Sequence, residues 1–326
     1  MQLSGLVDLL REAPVYRALL DSLRASDAPV ALGALRAARP FVAAALARDW
    51  DAPVIYVTTR IDRAYNVSEQ LPVWVGDADR IHRFGEPAPI FYERAPWGEP
   101  AVRSRIETLA ALTPPGDVLP VPAPFVVTSA RALMQRTLPV NQFRKSSVLL
   151  KIGDRWQIEK LLERWVGLGY EPVSMVIEPG TFSRRGGILD VYPIAADHPM
   201  RVEFFDDEID SLRPFDPSTQ RSTERVQQVV VNPAHEALPE HTPPLAAALG
   251  AWFEALPATD EDITSPQADY QPLSTGVAFP FIEHYLPYLY PNPVSLLDYA
   301  PDNALIVVED GGELRDTVAE IEEHAA

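Results

Sequence analysis

Cysteine is absent from the 326 residues, which excludes disulfides, thiolate zinc sites and cysteine nucleophiles together. No stretch of about 18 uncharged apolar residues occurs, so no segment reads as a membrane span. The opening run MQLSGLVDLLREAPVY carries Asp8, Arg11 and Glu12. It lacks both a basic lead and an unbroken apolar stretch, so it does not read as a secretory signal. Positive charge is scarce: 28 Lys and Arg face 46 Asp and Glu, a formal net charge of −18. A duplex is densely negative, so the global field of this chain opposes nucleic acid and favours a protein partner. Histidine is thin and scattered. His82, His198, His235, His241, His284 and His324 show no metal-ligand spacing. Ser129 and Ser183 have no neighbouring His/Asp arrangement that would make either a nucleophile. These absences point to a cytoplasmic protein with no metal or cofactor.

Hydrophobic residues make up 47% of the chain, enough for a folded protein. Its length exceeds what one core usually serves, so two domains, or one domain with an insertion, are expected. Leu6, Leu9 and Leu10, then Tyr16, Leu19, Leu20 and Leu23, recur at helical spacing. The apolar run 28–35 (APVALGAL) reads as a strand over 28–33, followed by an Ala-rich helix at 38–50. Strands at 52–59, 79–85 and 123–133 alternate with helices at 61–76 and 102–113, the pattern of a parallel sheet with covering helices. After residue 145 the character changes. A strand at 147–157 and a helix carrying Leu161, Leu162 and Trp165 precede a β-dominated stretch, 174–193 and 199–216, punctuated by Gly180, Gly186 and Gly187. Helical signals return at 243–256, a Pro/Asp/Ser-rich linker follows at 257–272, and a last buried strand spans 303–311. The simplest architecture is an α/β domain interrupted by a small antiparallel-sheet domain and then resumed.

The block FSRRGGILDVYP (182–193) followed by MRVEFFDDEIDSLRPFDPSTQRS (200–222) resembles the second domain of UvrB and of bacterial transcription-repair coupling factors. The coupling-factor version fits better, because segments 89–112, 126–139 and 284–310 resemble its flanking parts in the right order. The resemblance implies a UvrB-like fold: domain 1a (1–145), an inserted UvrA-binding domain 2 (146–232), and domain 1b (233–326) completing a RecA-like, P-loop-type core. The family continues into a polymerase-binding domain, two ATP-dependent DNA-translocase motor domains and a C-terminal domain. The chain is therefore expected to be a piece of a longer protein, one that reaches RNA polymerase only through those other domains. The C-terminal domain would act as an intramolecular mask over domain 2.

A working P-loop needs two glycines for backbone N–H groups to wrap phosphate, then Lys and Ser/Thr. At the equivalent point this chain offers ALGALRAARPF. It retains Gly33 but neither the second glycine nor the Lys-Ser/Thr pair, so the site is degenerate. Arg36 and Arg39 read as helix-start arginines. Glu309 and Asp310, where a Walker B carboxylate would stand, read as a strand-end turn. No ATP hydrolysis is expected, and UvrA recruitment in transcription-coupled nucleotide excision repair is the implied role. The alternative is a UvrB-like divergent ATPase or damaged-DNA clamp. Its aromatics would be Phe91, Tyr92 and Trp97, which could stack on bases or pack under a Pro-rich loop; DNA binding is expected to be weak or absent.

In the strand 199–205, Met200, Val202 and Phe204 form one row, the core face, and Arg201, Glu203 and Phe205 the other. A phenylalanine beside an arginine on a wet face is the composition of an interface anchor. It is also compatible with Arg201 pairing to Glu203 or to the acidic run 206–210 while Phe205 covers a loop. Arg184 and Arg185 sit at a Gly-rich bend, so at least one guanidinium is expected to point outward. The resemblance places UvrA contacts, motif by motif, on Arg185, Arg201 and Phe205, with Arg184 and Glu203 peripheral.

Overall fold

Val54–Thr58 are buried without exception and form strand β1. In the computed structural model, which describes residues 3–89, 93–117, 119–255 and 264–325, β1 lies inside a four-stranded sheet. Its companions are β2 (Ile81–Phe84), β3 (Phe125–Ser129) and β11 (Leu305–Val308), in the order β11-β1-β3-β2, all parallel. A parallel strand covered on both faces has no polar alternation, which explains the unbroken VIYV of β1. Helices Arg39–Asp49 and Ile61–Val75 supply covering residues, among them Ala43, Leu46, Ala64, Val67 and Leu71, which share one buried cluster with Val54, Tyr56, Phe125 and Val127. Gly76 ends the second helix in the left-handed region at φ +81, donating its N–H to Pro72 O at 3.3 Å. That is the usual helix terminus for a residue without Cβ.

The expected strand over 28–33 does not form. Residues 29–35 make no ladder, and Val30, Leu32 and Leu35 stay 39%, 39% and 83% exposed. Pro29 cannot donate to a ladder and Gly33 weakens a strand interior, so the apolar run lacks the backbone chemistry to match its side chains.

Residues 148–231 hold two further sheets. Strand β4 (Val148–Lys151) pairs antiparallel with β10 (Gln228–Val231). The larger sheet has the order β5 (Glu171–Pro172), β6 (Thr181–Arg185), β7 (Ile188–Val191), β8 (Met200–Phe205) and β9 (Glu208–Pro214), antiparallel except between β5 and β6. Phe182, Leu189, Val202 and Leu212 are all buried on one face. Helix Ile158–Gly167 buries Leu161 and Trp165, and the Trp165 ring meets Phe182 edge-on at 5.7 Å.

The Pro-rich segment expected as a linker over 257–272 is helical from Thr264 to Thr275. Pro266 falls in the first turn, where a missing N–H loses nothing; residues 256–263 lie outside the described residues. By compactness the chain divides into two units, one of residues 1–86, 111–135 and 296–326, the other of 87–110 and 136–295. This cut differs from the three-part division read from the sequence, which follows the order of family modules. Among the described residues no helix is long and apolar enough to cross a membrane.

Candidate functional site

The outer face of the five-stranded sheet is built by two tight hairpins. Between β6 and β7, Gly186 adopts φ +63. A Cβ on Gly187 would approach Phe204 O to 3.2 Å, a tight fit, and β8 closes against this bend through the Phe204 N–H to Gly187 O bond of 2.8 Å. Register then assigns the two arginines to opposite faces. Arg184 pairs with the buried Leu189, whereas Arg185 pairs with Ile188, which in turn pairs with Glu203. Arg184 donates from Nη1 to Glu159 Oε1 at 3.0 Å, and from Nε to Gly186 O at 3.2 Å. Arg185 is exposed and its side chain makes no hydrogen bond or ion pair among the described residues. Arg185 is thus the outward guanidinium of the two.

The β8–β9 hairpin turns at Asp206, which takes φ +59, a conformation that Asp tolerates. Glu203 pairs with Ser211 but Phe204 with Ile209, so the extra residue is Asp210 on β9 and the alternation of β8 continues unbroken. Arg201, Glu203 and Phe205 therefore share one face. Met200 and Val202 are buried opposite them, while Phe204, expected in the same core row, is only half-buried. Phe205 is 80% exposed and covers no loop. Ile188, 36% exposed, lies on the same face.

Arg201 pairs with neither Glu203 nor the acidic run. Its Nε and Nη2 bind Asp190 Oδ1 and Oδ2 at 2.7 and 2.9 Å, across the β7–β8 ladder where Asp190 stands opposite Arg201. The guanidinium carbon lies 4.9 Å from the Phe215 ring centre, and Phe215 is buried with Val176 and Tyr192. Hydrogen bonding to Asp190 holds the Arg201 guanidinium above its usual pKa. Glu203 accepts from Ser211 Oγ. Sequence reasoning missed Asp190 and Ile188. Both lie on the alternate row of ILDV, a signal that becomes readable only once the register between β7 and β8 is known.

At the parallel sheet, Gly33 has a negative φ and open space where a Cβ would stand. Arg63 Nε donates to both Glu309 oxygens at 2.8 and 3.0 Å. Asp310 Oδ1 caps helix Gly311–Ala325, accepting the Gly312 and Glu313 N–H groups at 3.1 Å each, and Arg39 Nη2 lies 3.5 Å from its other oxygen. The two carboxylates are thus engaged as an ion pair and a helix cap. Of the three aromatics of the clamp reading, Phe91 and Tyr92 lie outside the described residues, and Trp97 receives the Arg105 guanidinium at 5.0 Å from its ring centre. Among the described residues no cluster of three or more His, Asp or Glu could hold a metal ion.

Residues 148–236 match the model of the UvrB interaction domain. The chain is 33% identical over 325 residues to the transcription-repair-coupling factor of Mycobacterium tuberculosis, covering 98% of this chain and 26% of that protein. It is 28% identical over 329 residues to that of Bacillus subtilis, covering 97% and 27%, and 35% identical over 208 residues to that of Escherichia coli, covering 63% and 17%. The chain spans about a quarter of the length of the first two relatives.

Proposed function

We propose that this chain, a homologue of transcription-repair-coupling factors along nearly its whole length with a UvrB interaction domain at 148–236, recruits UvrA through the outer face of its five-stranded sheet. One observation carries the reading: Phe205 stands 80% exposed on the same face as Arg185, whose charge is unpaired among the described residues. Covering a phenylalanine is worth about 1.5–3 kcal/mol, and an arginine offers bidentate recognition of a partner carboxylate. Together they make a hot-spot pair with an apolar anchor and a charged one.

On this reading the parallel-sheet unit is a scaffold of RecA-like type without catalysis, in the arrangement 1a (1–145), 2 (146–232) and 1b (233–326). In the longer protein, RNA polymerase would be engaged by other domains and the C-terminal domain would cover the docking face; the whole would work in the cytoplasm. The divergent-ATPase reading is disfavoured because the Glu309 carboxylate is already bound by Arg63 and Asp310 by a helix N-terminus. The test is titration of UvrA onto this chain and onto its Phe205→Ala and Arg185→Ala variants. Truncating a hot-spot residue typically costs at least about 2 kcal/mol, so affinity is expected to fall by about 30-fold or more with melting unchanged. Wild-type affinity in both variants overturns the reading.

A further inference from the structure

Asp190 lies in the middle of the docking face yet is only 2% exposed, too buried to meet a partner itself. Both of its oxygens are occupied by one side-on edge of Arg201, at 2.7 and 2.9 Å. That geometry fixes the guanidinium plane and turns Nη1 away from the carboxylate. Among the described residues Nη1 meets Gln220 O at 3.5 Å and Ser222 Oγ at 3.4 Å, both long for hydrogen bonds. The Phe215 ring backs the guanidinium at 4.9 Å. An ion pair kept solely for packing could be replaced by apolar residues of similar volume without loss. A pair in which one partner is sealed and the other keeps a polar edge held only by long contacts can do something an apolar pair cannot.

We infer that Asp190 is a positioning residue: it holds Arg201 with Nη1 facing out, so that a carboxylate of the partner meets Arg201 on the same face as Arg185 and Phe205. The inference rests on the docking reading and adds to it the chemistry of the partner, an acidic group beside an apolar pocket. It also explains how an arginine whose side chain is 17% exposed can take part in recognition. Its contribution is one edge, aimed from below.

A double-mutant cycle in UvrA affinity separates positioning from support of the fold. Asp190→Asn is expected to weaken UvrA binding by about tenfold in the wild-type background and by less than about twofold in an Arg201→Ala background. An equal loss in both backgrounds, or no loss in the first, overturns the inference. Asp190→Glu keeps the charge and moves the guanidinium; it should bind better than Asp190→Asn and again matter little once Arg201 is gone. Should Asp190→Asn fail to fold, the cycle is run with Asp190→Glu and is decided by the same comparison. Phe205→Ala, measured alongside, keeps the two claims apart. If it binds like wild type the docking reading itself fails, whereas if it loses affinity while both Asp190 variants do not, only the role of Asp190 fails.

Discussion

Two buried arginine–carboxylate pairs in this chain have opposite accessibility on the arginine side. Arg201 keeps 17% of its side chain exposed over a sealed Asp190, whereas Arg105 and Glu236 are 0% and 1% exposed. Arg105 Nη2 donates to Glu236 Oε2 at 2.9 Å, and its guanidinium lies by the Trp97 ring. A fully sealed pair contributes little net stability but is costly to break on one side. Glu236→Ala should therefore lower unfolding stability by about 3–5 kcal/mol, while Arg105→Met with Glu236→Leu should be near neutral; urea melts of the two variants decide it. Neither pair is legible in the sequence. Strand alternation read from residues alone places Arg201, Glu203 and Phe205 on one face, but choosing Asp190 needs the β7–β8 register. Arg105 and Glu236 are 131 residues apart, beyond any local pattern.

At the scale of elements, side-chain pattern predicts β1 and β3 because a buried parallel strand writes its burial directly as apolar runs; β11 forms where its apolar run suggests, but at the sheet edge, where Ile306 and Val308 stay exposed instead of buried. The same pattern misplaces a strand at 28–33, where the side chains suit a sheet and the backbone of Pro29 and Gly33 does not. Val30 and Leu32 instead line a cavity of about 170 Å³ with Ile306 and Val308 of β11. It misreads 264–275 in the other direction: one proline falls in the first turn, where it breaks nothing, and the helix also accommodates Pro272 in its interior. The segment after β10 carries a titrating contact as well. Burial of His235 disfavours its charged form, but the Glu283 carboxylate, with Glu171 and Glu236 adding to it, outweighs this and the ring's pKa is raised. A pKa higher in the folded state stabilises the fold below the ordinary histidine value of about 6.5 and is lost as pH rises through the folded value. The stability gap between wild type and His235→Gln should thus be widest at the acid end of about pH 5.5 to 8.5 and narrow toward the alkaline end. Urea midpoints across that window measure it, and a gap that widens with pH contradicts the assignment.

For the whole molecule, a net charge of −18 argues against DNA and leaves the identity of a protein partner open; the 182–222 block narrows that choice only by resemblance. The resumption of the α/β domain by a last strand was legible as a returning apolar run at 303–311, and β11 does pair with β1 across about 250 residues; the cuts of the compact units at 86/87, 110/111, 135/136 and 295/296 were not, because no change of composition marks them. The exposed ring of Phe205, one of several exposed apolar side chains that include Leu35 and Val121, also makes this protein a charged colloid with an adhesive spot. At low ionic strength like-charge repulsion keeps the spots of different copies apart. The Debye length shrinks from about 10 Å at 0.1 M salt to about 3 Å at 1 M, so sedimentation should show the average mass rising with sodium chloride for wild type and rising less for Phe205→Ser. Solubility, for this chain, is then a property that added salt takes away and the loss of the Phe205 ring partly restores.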